Sequence, residues 1–364
     1  MEKTAKFEIK SVKLNNKDYE QKNKIITSRY VLENVHVVAT QQHNGDFWKG
    51  VVKDIFGDAV GENSKFMFAH QSLRRVLLNP DLKHTILLCK QGYTEKQKKV
   101  LIDRFLELKC KIWQIDSAQH VVNYINTKDP NDDGPFKAVR LIEKVERLLI
   151  YSHGIVGKIC LGMGHVGEGD DRLKFDKEIA KKLNPLAFAV GAKVYSFSCR
   201  TGLGNPEIKK SIYKTQVRNS SPIGVTSTGI PISRDEYETI QMPLYSAQSL
   251  AQAIANSGKV TTLAYLCRSD YEDTLNTPDE LDFYDAYRAG VYNKKRNRNN
   301  YDILARLGQP TQEEMERYKL LNERFESRIM VDKMRFDPQG AFHPVKGGTT
   351  PVGLPQDMKT YKPL

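Results

Sequence analysis

What the 364-residue chain has little of excludes a good deal. Its five cysteines, Cys89, Cys110, Cys160, Cys199 and Cys267, are dispersed with no CxxC pair. An odd, scattered set argues against a disulfide scaffold and a zinc knuckle, so neither a metal nor another cofactor is expected. No stretch approaches the roughly 18 apolar residues of a membrane span. The opening text, MEKTAKFEIKSVKLNNKDYEQKNK, is charged throughout and lacks the apolar core of a signal peptide. The expectation is a soluble, cytoplasmic chain without a membrane partner, with signal-independent export left open. There is no internal repeat or low-complexity tract. The glycine-rich text GMGHVGEG (162–169) lacks the Lys-Ser/Thr of a phosphate-binding loop and follows no strand-to-helix turn. Its His165 reads as a loop residue, with a role as an alternative base kept beside that reading.

Charge of one sign is not scarce: 56 Lys and Arg against 44 Asp and Glu leave a net +12. That raises the prospect of an anionic partner. The cations are spread along the chain, however, and only NKKRNRNN (293–300) is dense. A solvated loop is the plain reading of that run; a nucleic-acid patch and a protease-sensitive linker stand beside it. Nucleic acid is not the expected partner.

From about residue 34 a strand–helix rhythm sets in. NVHVVAT (34–40), HTILLCK (84–90), CKIWQID (110–116), RLLIYSH (147–153), AKVYSFS (192–198) and VTTLAYL (260–266) read as strands by length and by Val, Ile and Tyr content. Several are apolar on both pleat faces, as when helices cover both sides of a mainly parallel sheet. The helical text between them carries start signals. TEKQKKVLIDRFLELK (94–109) opens with a Thr94/Gln97 capping box and puts Val100, Leu101, Phe105 and Leu108 on one face. NPEIKKSIYKTQ (205–216) has Asn205 to cap it and Pro206 at its first turn; FDKEIAKKLNPLAF (175–188) and SLAQAIANSG (249–258), ending at Gly258, add two more. The expected class is α/β with right-handed crossovers around a mainly parallel six-stranded sheet.

After residue 275 the text changes. A helix with a Thr277/Glu280 cap is followed by the basic run, then by TQEEMERYKLLNERFESRIM with a Thr311/Glu314 box. Met315, Tyr318, Leu321, Phe325 and Ile329 form one apolar stripe, expected to pack on the main domain. Residues 336–364 are rich in Pro and Gly and read as an irregular tail, disordered or lying along a groove. The organisation is therefore an N-terminal extension (1–30), a main domain (31–275), a helical extension (276–335) and the tail.

Two of the apolar runs end in reactive side chains. LLIYSHG (148–154) stops on His153-Gly154, and AKVYSFSCRTGLG (192–204) stops on Ser198-Cys199. In α/β sheets ligands bind beyond the carboxyl ends of strands. If these two strands are neighbours, about 4.8 Å apart, an imidazole and a thiol face one another there. Such a pair suits peptide hydrolysis, which needs a thiolate, a proton shuttle and donors for an oxyanion. The Gly154 and Cys199 amides are the candidate donors. Taken singly, a strand-end His is more often structural and a strand Cys more often a buried filler; it is the pair that points to catalysis.

The two blocks resemble the caspase-like cysteine proteases of clan CD, with one apolar block ending in His-Gly and the next in Ala-Cys or Ser-Cys. VYSFSCRTGLG is especially similar to the Ser-Ala-Cys-x-Thr-Gly-x-Gly stretch of the bacterial CHAT-type branch, and the likeness spans residues 31–275. It implies a caspase-like three-layer sandwich, Cys199 as nucleophile, His153 as general base and acid, and Gly154 and Cys199 as the oxyanion hole. It implies a protein or peptide substrate and allows for an activator or regulatory partner. Ser198 stands where Ala is usual, and no Gln-Ala-Cys-Arg-Gly pentapeptide is present, so an acid-specific pocket is not implied. Relatives that cut after Arg or Lys carry an acid in the S1 pocket; Asp46 and Asp270 are the candidates, though the plain reading of each is a solvated loop acid, and Arg268 with Asp270 reads also as an ion pair. GEGDDR (167–172) is another acidic loop near the His strand. VRNSSPIGVTSTGIPIS (217–233) reads as strand and loop flanking the cleft, where an extended peptide can pair.

Three rivals remain. A nucleophile-elbow hydrolase wants Gly-x-Cys-x-Gly, but Phe197 and Thr201 hold the glycine positions, and only His343 follows the cysteine. A catalytically silent scaffold of the same fold and a nucleic-acid binder complete the set.

Overall fold

The computed structural model describes residues 30–40, 65–162, 170–205, 224–225, 231–232, 243–296, 311–348 and 354–364. Seven strands form the central sheet. They are β1 (Val31–Val38), β2 (Lys83–Cys89), β3 (Lys111–Ile115), β4 (Glu143–Tyr151), β8 (Phe188–Ser196), β11 (Thr261–Ala264) and β16 (Lys359–Tyr361), in the order β16-β11-β8-β4-β1-β2-β3. All six expected runs are strands, and they pair in parallel with one another. Ile86, Leu87, Leu88 and Cys89 are consecutive and fully buried, as a strand covered on both faces requires.

The sheet has one strand more than expected. β16 comes from the Pro/Gly-rich tail and pairs antiparallel with β11, Thr262 opposite Tyr361. Another tail segment lies against the first helix, where Ala341 N–H donates to the His70 carbonyl at 2.8 Å and the Gln71 side chain donates to the His343 carbonyl at 2.8 Å. Most of the described tail is irregular, as read, but it carries two short strands and packs on the domain, so its disordered alternative is the one corrected. Four of its apolar residues, Phe336, Ala341, Val345 and Tyr361, are spaced too irregularly to show a period, yet each is buried.

The helices are α1 (Met67–Leu77), α2 (Glu95–Glu107), α3 (Ala118–Thr127) and α4 (Leu250–Gly258) around the sheet, then α5 (Pro278–Arg296) and α6 (Gln312–Ser327) beyond it. The Thr94/Gln97 box starts α2, with both reciprocal bonds present. Thr277/Glu280 and Thr311/Glu314 do the same for α5 and α6. One adjustment is needed. Text 175–188 gives only a single turn at Lys177–Ala180 and a 3-10 turn at Pro185–Ala187, because Pro185 biases Asn184 away from helix and Asn184 caps the second turn. By contrast, α4 ends at Gly258 as expected, and Lys259 after it takes the left-handed conformation, φ 50°.

The α6 stripe divides instead of packing as one face. Leu321 is buried, Tyr318 and Phe325 stack on Tyr287 and Tyr284 of α5 with centroids 4.1 and 4.2 Å apart, and Met315 and Ile329 stay 40% and 44% exposed. A turn later, β13 (Ile329–Val331) and β14 (Met334–Phe336) form a hairpin, and buried Asp337 takes ion pairs from Arg324 and Arg328 at 3.2 and 3.4 Å. No helix among the described residues is long and apolar enough to cross a membrane. Asp46, His165, residues 206–216, the 297–300 end of the basic run and most of 217–233 lie outside the described residues. Of that last stretch, β9 (Gly224–Val225) and β10 (Pro231–Ile232) pair antiparallel.

Strand order places the site. From β1 the chain steps through β2 to β3 in one direction, and from β4 through β8 to β11 in the other. The direction reverses between β1 and β4, the position where the carboxyl ends of an open α/β sheet leave room for a ligand. His153 follows β4.

Candidate active site

β4 and β8 are neighbours, and their last paired couple is Ile150 with Ser196. His153 and Cys199 each lie three residues further on, so parallel register brings both to one level beyond the sheet. Gly154 locks that level. A Cβ on it would stand 2.7 Å from the Cys199 carbonyl oxygen, 2.8 Å from Ser198 Cβ and 3.1 Å from the Cys199 nitrogen. Only glycine permits two backbones to approach so closely.

The two halves are held differently. After Tyr151 the chain enters a hairpin of β5 (His153–Ile155) and β6 (Lys158–Cys160), turned by Val156 and Gly157, the latter at φ 80°, with β7 (Lys174–Phe175) as its third strand. The Ser152 hydroxyl donates to the carbonyls of Cys160 at 2.6 Å and His153 at 3.0 Å, pinning the entry. In a two-residue hairpin the closing pair, Ile155 and Lys158, exchanges hydrogen bonds and the next does not, which turns the Gly154 N–H away from β6. His153 is 8% exposed, and its ring meets Phe68 of α1 edge to face, centroids 5.0 Å apart. Phe68 in turn meets Tyr271 edge to face at 5.0 Å, and the Tyr271 hydroxyl donates to the Phe197 carbonyl at 3.1 Å. The imidazole plane is therefore set by packing rather than by solvent.

On the cysteine side, the chain leaves β8 and doubles back through Arg200 at φ 57°. The Thr201 hydroxyl lies 2.8 Å from that of Ser196 and donates to the Ser198 carbonyl at 3.2 Å. Arg200 and Gly202 N–H groups donate to the Cys267 and Tyr265 carbonyls at 2.9 and 3.0 Å, tying the loop to the segment after β11. At Gly202 a Cβ would sit 2.5 Å from the Tyr361 hydroxyl. The Thr-Gly that follows Cys199-Arg200 thus has a packing reason of its own. The Cys199 N–H has no acceptor among the described residues.

Cys199 is half-buried, whereas the other four cysteines are buried. Burial pushes the Cys89 and Cys110 thiols up to about 12. Burial, and after it the neighbouring Cys199, pushes Cys267 up to about 11. Those three are protonated fillers at neutral pH.

Ser269, on β12 (Ser269–Asp270), is the close neighbour that the sequence did not single out. Its N–H donates to Cys199 Sγ at 3.3 Å, and its hydroxyl lies 3.2 Å from the same sulfur. Nothing in CRSDYEDTL marks that serine; seventy positions separate it from the cysteine, and only the β8–β11 pairing brings it there. Asp270 follows Ser269 in the same strand, where successive side chains take opposite faces. Asp273 is close to it: burial, then the Asp270 charge, raises the Asp273 carboxyl above its ordinary range. Of the acidic loop 167–172, Asp170 pairs with Arg172 and Asp171 with Lys174 at 2.7 Å each, on the surface. His343, the late histidine an elbow hydrolase would need, is committed to Glu280 at 3.0 Å. Among the described residues no three His, Cys, Asp or Glu side chains gather as metal ligands.

No family model, no curated protein and no solved structure matches this chain.

Proposed function

We propose that the protein is a cysteine endopeptidase of caspase-like architecture, with the α/β sheet as the middle of three layers. The observation that carries this reading is the register of β4 and β8, which sets the one partly exposed thiol level with a packed imidazole across a glycine contact. Cys199 Sγ passes its proton to His153 and attacks the scissile carbonyl carbon; the amides of Gly154 and Cys199 receive the oxyanion. Collapse of that intermediate breaks the C–N bond, His153 returns the proton to the leaving amine, and a thioester remains on Cys199. Water, deprotonated by His153, then releases the acid and regenerates the thiol. Asp270 and Asp273 favour a positively charged substrate side chain over an acidic one. An activator or regulatory partner belongs to the proposal as an open element.

The test is a peptide-library cleavage profile of wild type, Cys199→Ala and His153→Ala. Cleavage after Lys or Arg by the wild type, reduced about a thousandfold or more in both variants, is expected. Full proteolysis by Cys199→Ala overturns the assignment. So does a peptidyl electrophile that labels Cys199 no faster than the four buried cysteines, the behaviour of a silent scaffold.

A further inference from the structure

Two groups of one residue converge on the sulfur. The Ser269 N–H at 3.3 Å and its hydroxyl at 3.2 Å both reach Cys199 Sγ, from the side opposite the β4–β8 contact with Gly154. A cysteine side chain has a single torsion with three staggered wells, so an N–H donor and a hydroxyl contact on one side select among them. Donors aimed at sulfur also stabilise the negative charge that gathers there as the proton leaves.

What aims Ser269 is the C-terminal segment. β15 (Lys346–Gly347) pairs antiparallel with β12, Gly347 opposite Ser269 and Lys346 opposite Asp270. The Gly348 N–H donates to the Arg268 carbonyl at 2.6 Å. In a trans peptide the carbonyl of one residue and the N–H of the next point opposite ways. Fixing the Arg268 carbonyl on β15 therefore turns the Ser269 N–H towards Cys199. The same segment grips both neighbouring loops: the Tyr265 hydroxyl donates to the Val345 carbonyl at 3.0 Å, and the Tyr361 hydroxyl donates to the Gly202 carbonyl at 2.5 Å.

We propose that Ser269 is a positioning residue for the Cys199 sulfur, aimed by the C-terminal strand β15; this rests on the reading of Cys199 as the nucleophile. The segment that looked like a loose tail is then the back wall of the site.

The test is the rate at which iodoacetamide alkylates Cys199 in the full-length native chain at pH 7, followed by peptide mass spectrometry. Ser269→Ala is expected to slow alkylation roughly three- to tenfold, the factor one hydrogen bond supplies. Ser269→Thr, which keeps the hydroxyl, restores it to within about twofold. Gly348→Pro removes the distant donor to Arg268 and slows alkylation in the same direction. Thermal midpoints of the Ser269 variants stay near the wild type, and on a cleaved peptide kcat falls with KM nearly unchanged. Ser269→Ala alkylated at the wild-type rate or faster overturns the proposal. Wild-type behaviour of a folded Gly348→Pro overturns the part assigned to β15. If alkylation responds as expected but no form cleaves peptide, the positioning stands and the peptidase reading falls.

Discussion

The two ends of the sheet treat polar groups in opposite ways. Near the amino ends of β1, β2 and β4, Glu33 accepts from Arg140 at 2.6 Å, Thr85 at 2.6 Å and Tyr124 at 2.7 Å, and both ionic partners are 0% exposed. Burial alone would push the Glu33 carboxyl up; the Arg140 charge and the hydroxyl donors outweigh it and hold the carboxyl below its ordinary value. At the carboxyl ends, His153 and Cys199 sit beside apolar rings and glycine, with Cys199 partly open to solvent. One end satisfies its charges internally and holds the strands in register. The other places a half-buried thiol and a buried imidazole just past two neighbouring strand ends. The first end is held by two opposite charges buried against each other, with Arg140 Nε left as a buried polar atom without a partner among the described residues.

Three experiments sharpen or break that contrast. The largest effect is expected at the closed end. Arg140→Ala strands the Glu33 carboxylate in the core and is expected to cost about 3–5 kcal/mol, read by urea unfolding. A loss under about 1 kcal/mol would show that the pair is not the anchor it looks. At the open end, Gly154→Ala puts a methyl against the Cys199 carbonyl and Ser198. A stability loss of about 1–3 kcal/mol is expected, with Cys199 alkylation and peptide cleavage falling far more than Gly-to-Ala in a loop would cause. Unchanged reactivity there would mean that the two strand ends are not mutually fixed.

The smallest effect concerns histidines that are structural. His36 lies between the Ser72 hydroxyl at 2.9 Å and His84 at 3.0 Å, and burial, then His84, holds it well below the ordinary histidine value. His70 accepts the Asp337 N–H at 3.0 Å, and burial, then Arg328, lowers it to about 3. Both stay neutral in the folded chain while the unfolded chain takes up protons near pH 6.5. Stability is therefore full above that pH and is lost as the pH falls through it. From pH 7.5 to 6 the two together are expected to cost about 1.5 kcal/mol. Cys199→Ala should follow the same curve, since neither imidazole belongs to the site; a flat profile would contradict their buried, neutral state.

Much of this was legible before any coordinates. The six parallel strands follow from short β-branched runs, and the helix starts at Thr94, Thr277 and Thr311 from reciprocal caps, because both signals are local. α1 escaped notice: FAHQSLRRVL mixes buried His70, Gln71 and Ser72 with its apolar residues, and their burial depends on partners in β1 and the tail. The helix expected over 175–188 failed where one proline outweighed the composition around it. The tail misled for the opposite reason, since its strands are two and three residues long, below any readable period. Phe68, Tyr271 and Ser269 were invisible as site residues because nothing in their own neighbourhoods distinguishes them.

By itself the sequence determined an alternating α/β chain and a His-Gly and a Ser-Cys at the ends of two of its strands, since periodicity, caps and glycine act over a few residues. Only the tertiary structure decided that those two strands are neighbours in register, and that a serine seventy positions away and the last residues of the chain close around the thiol. Such contacts arise from the order of strands in a sheet, a property of the whole chain that no short stretch carries.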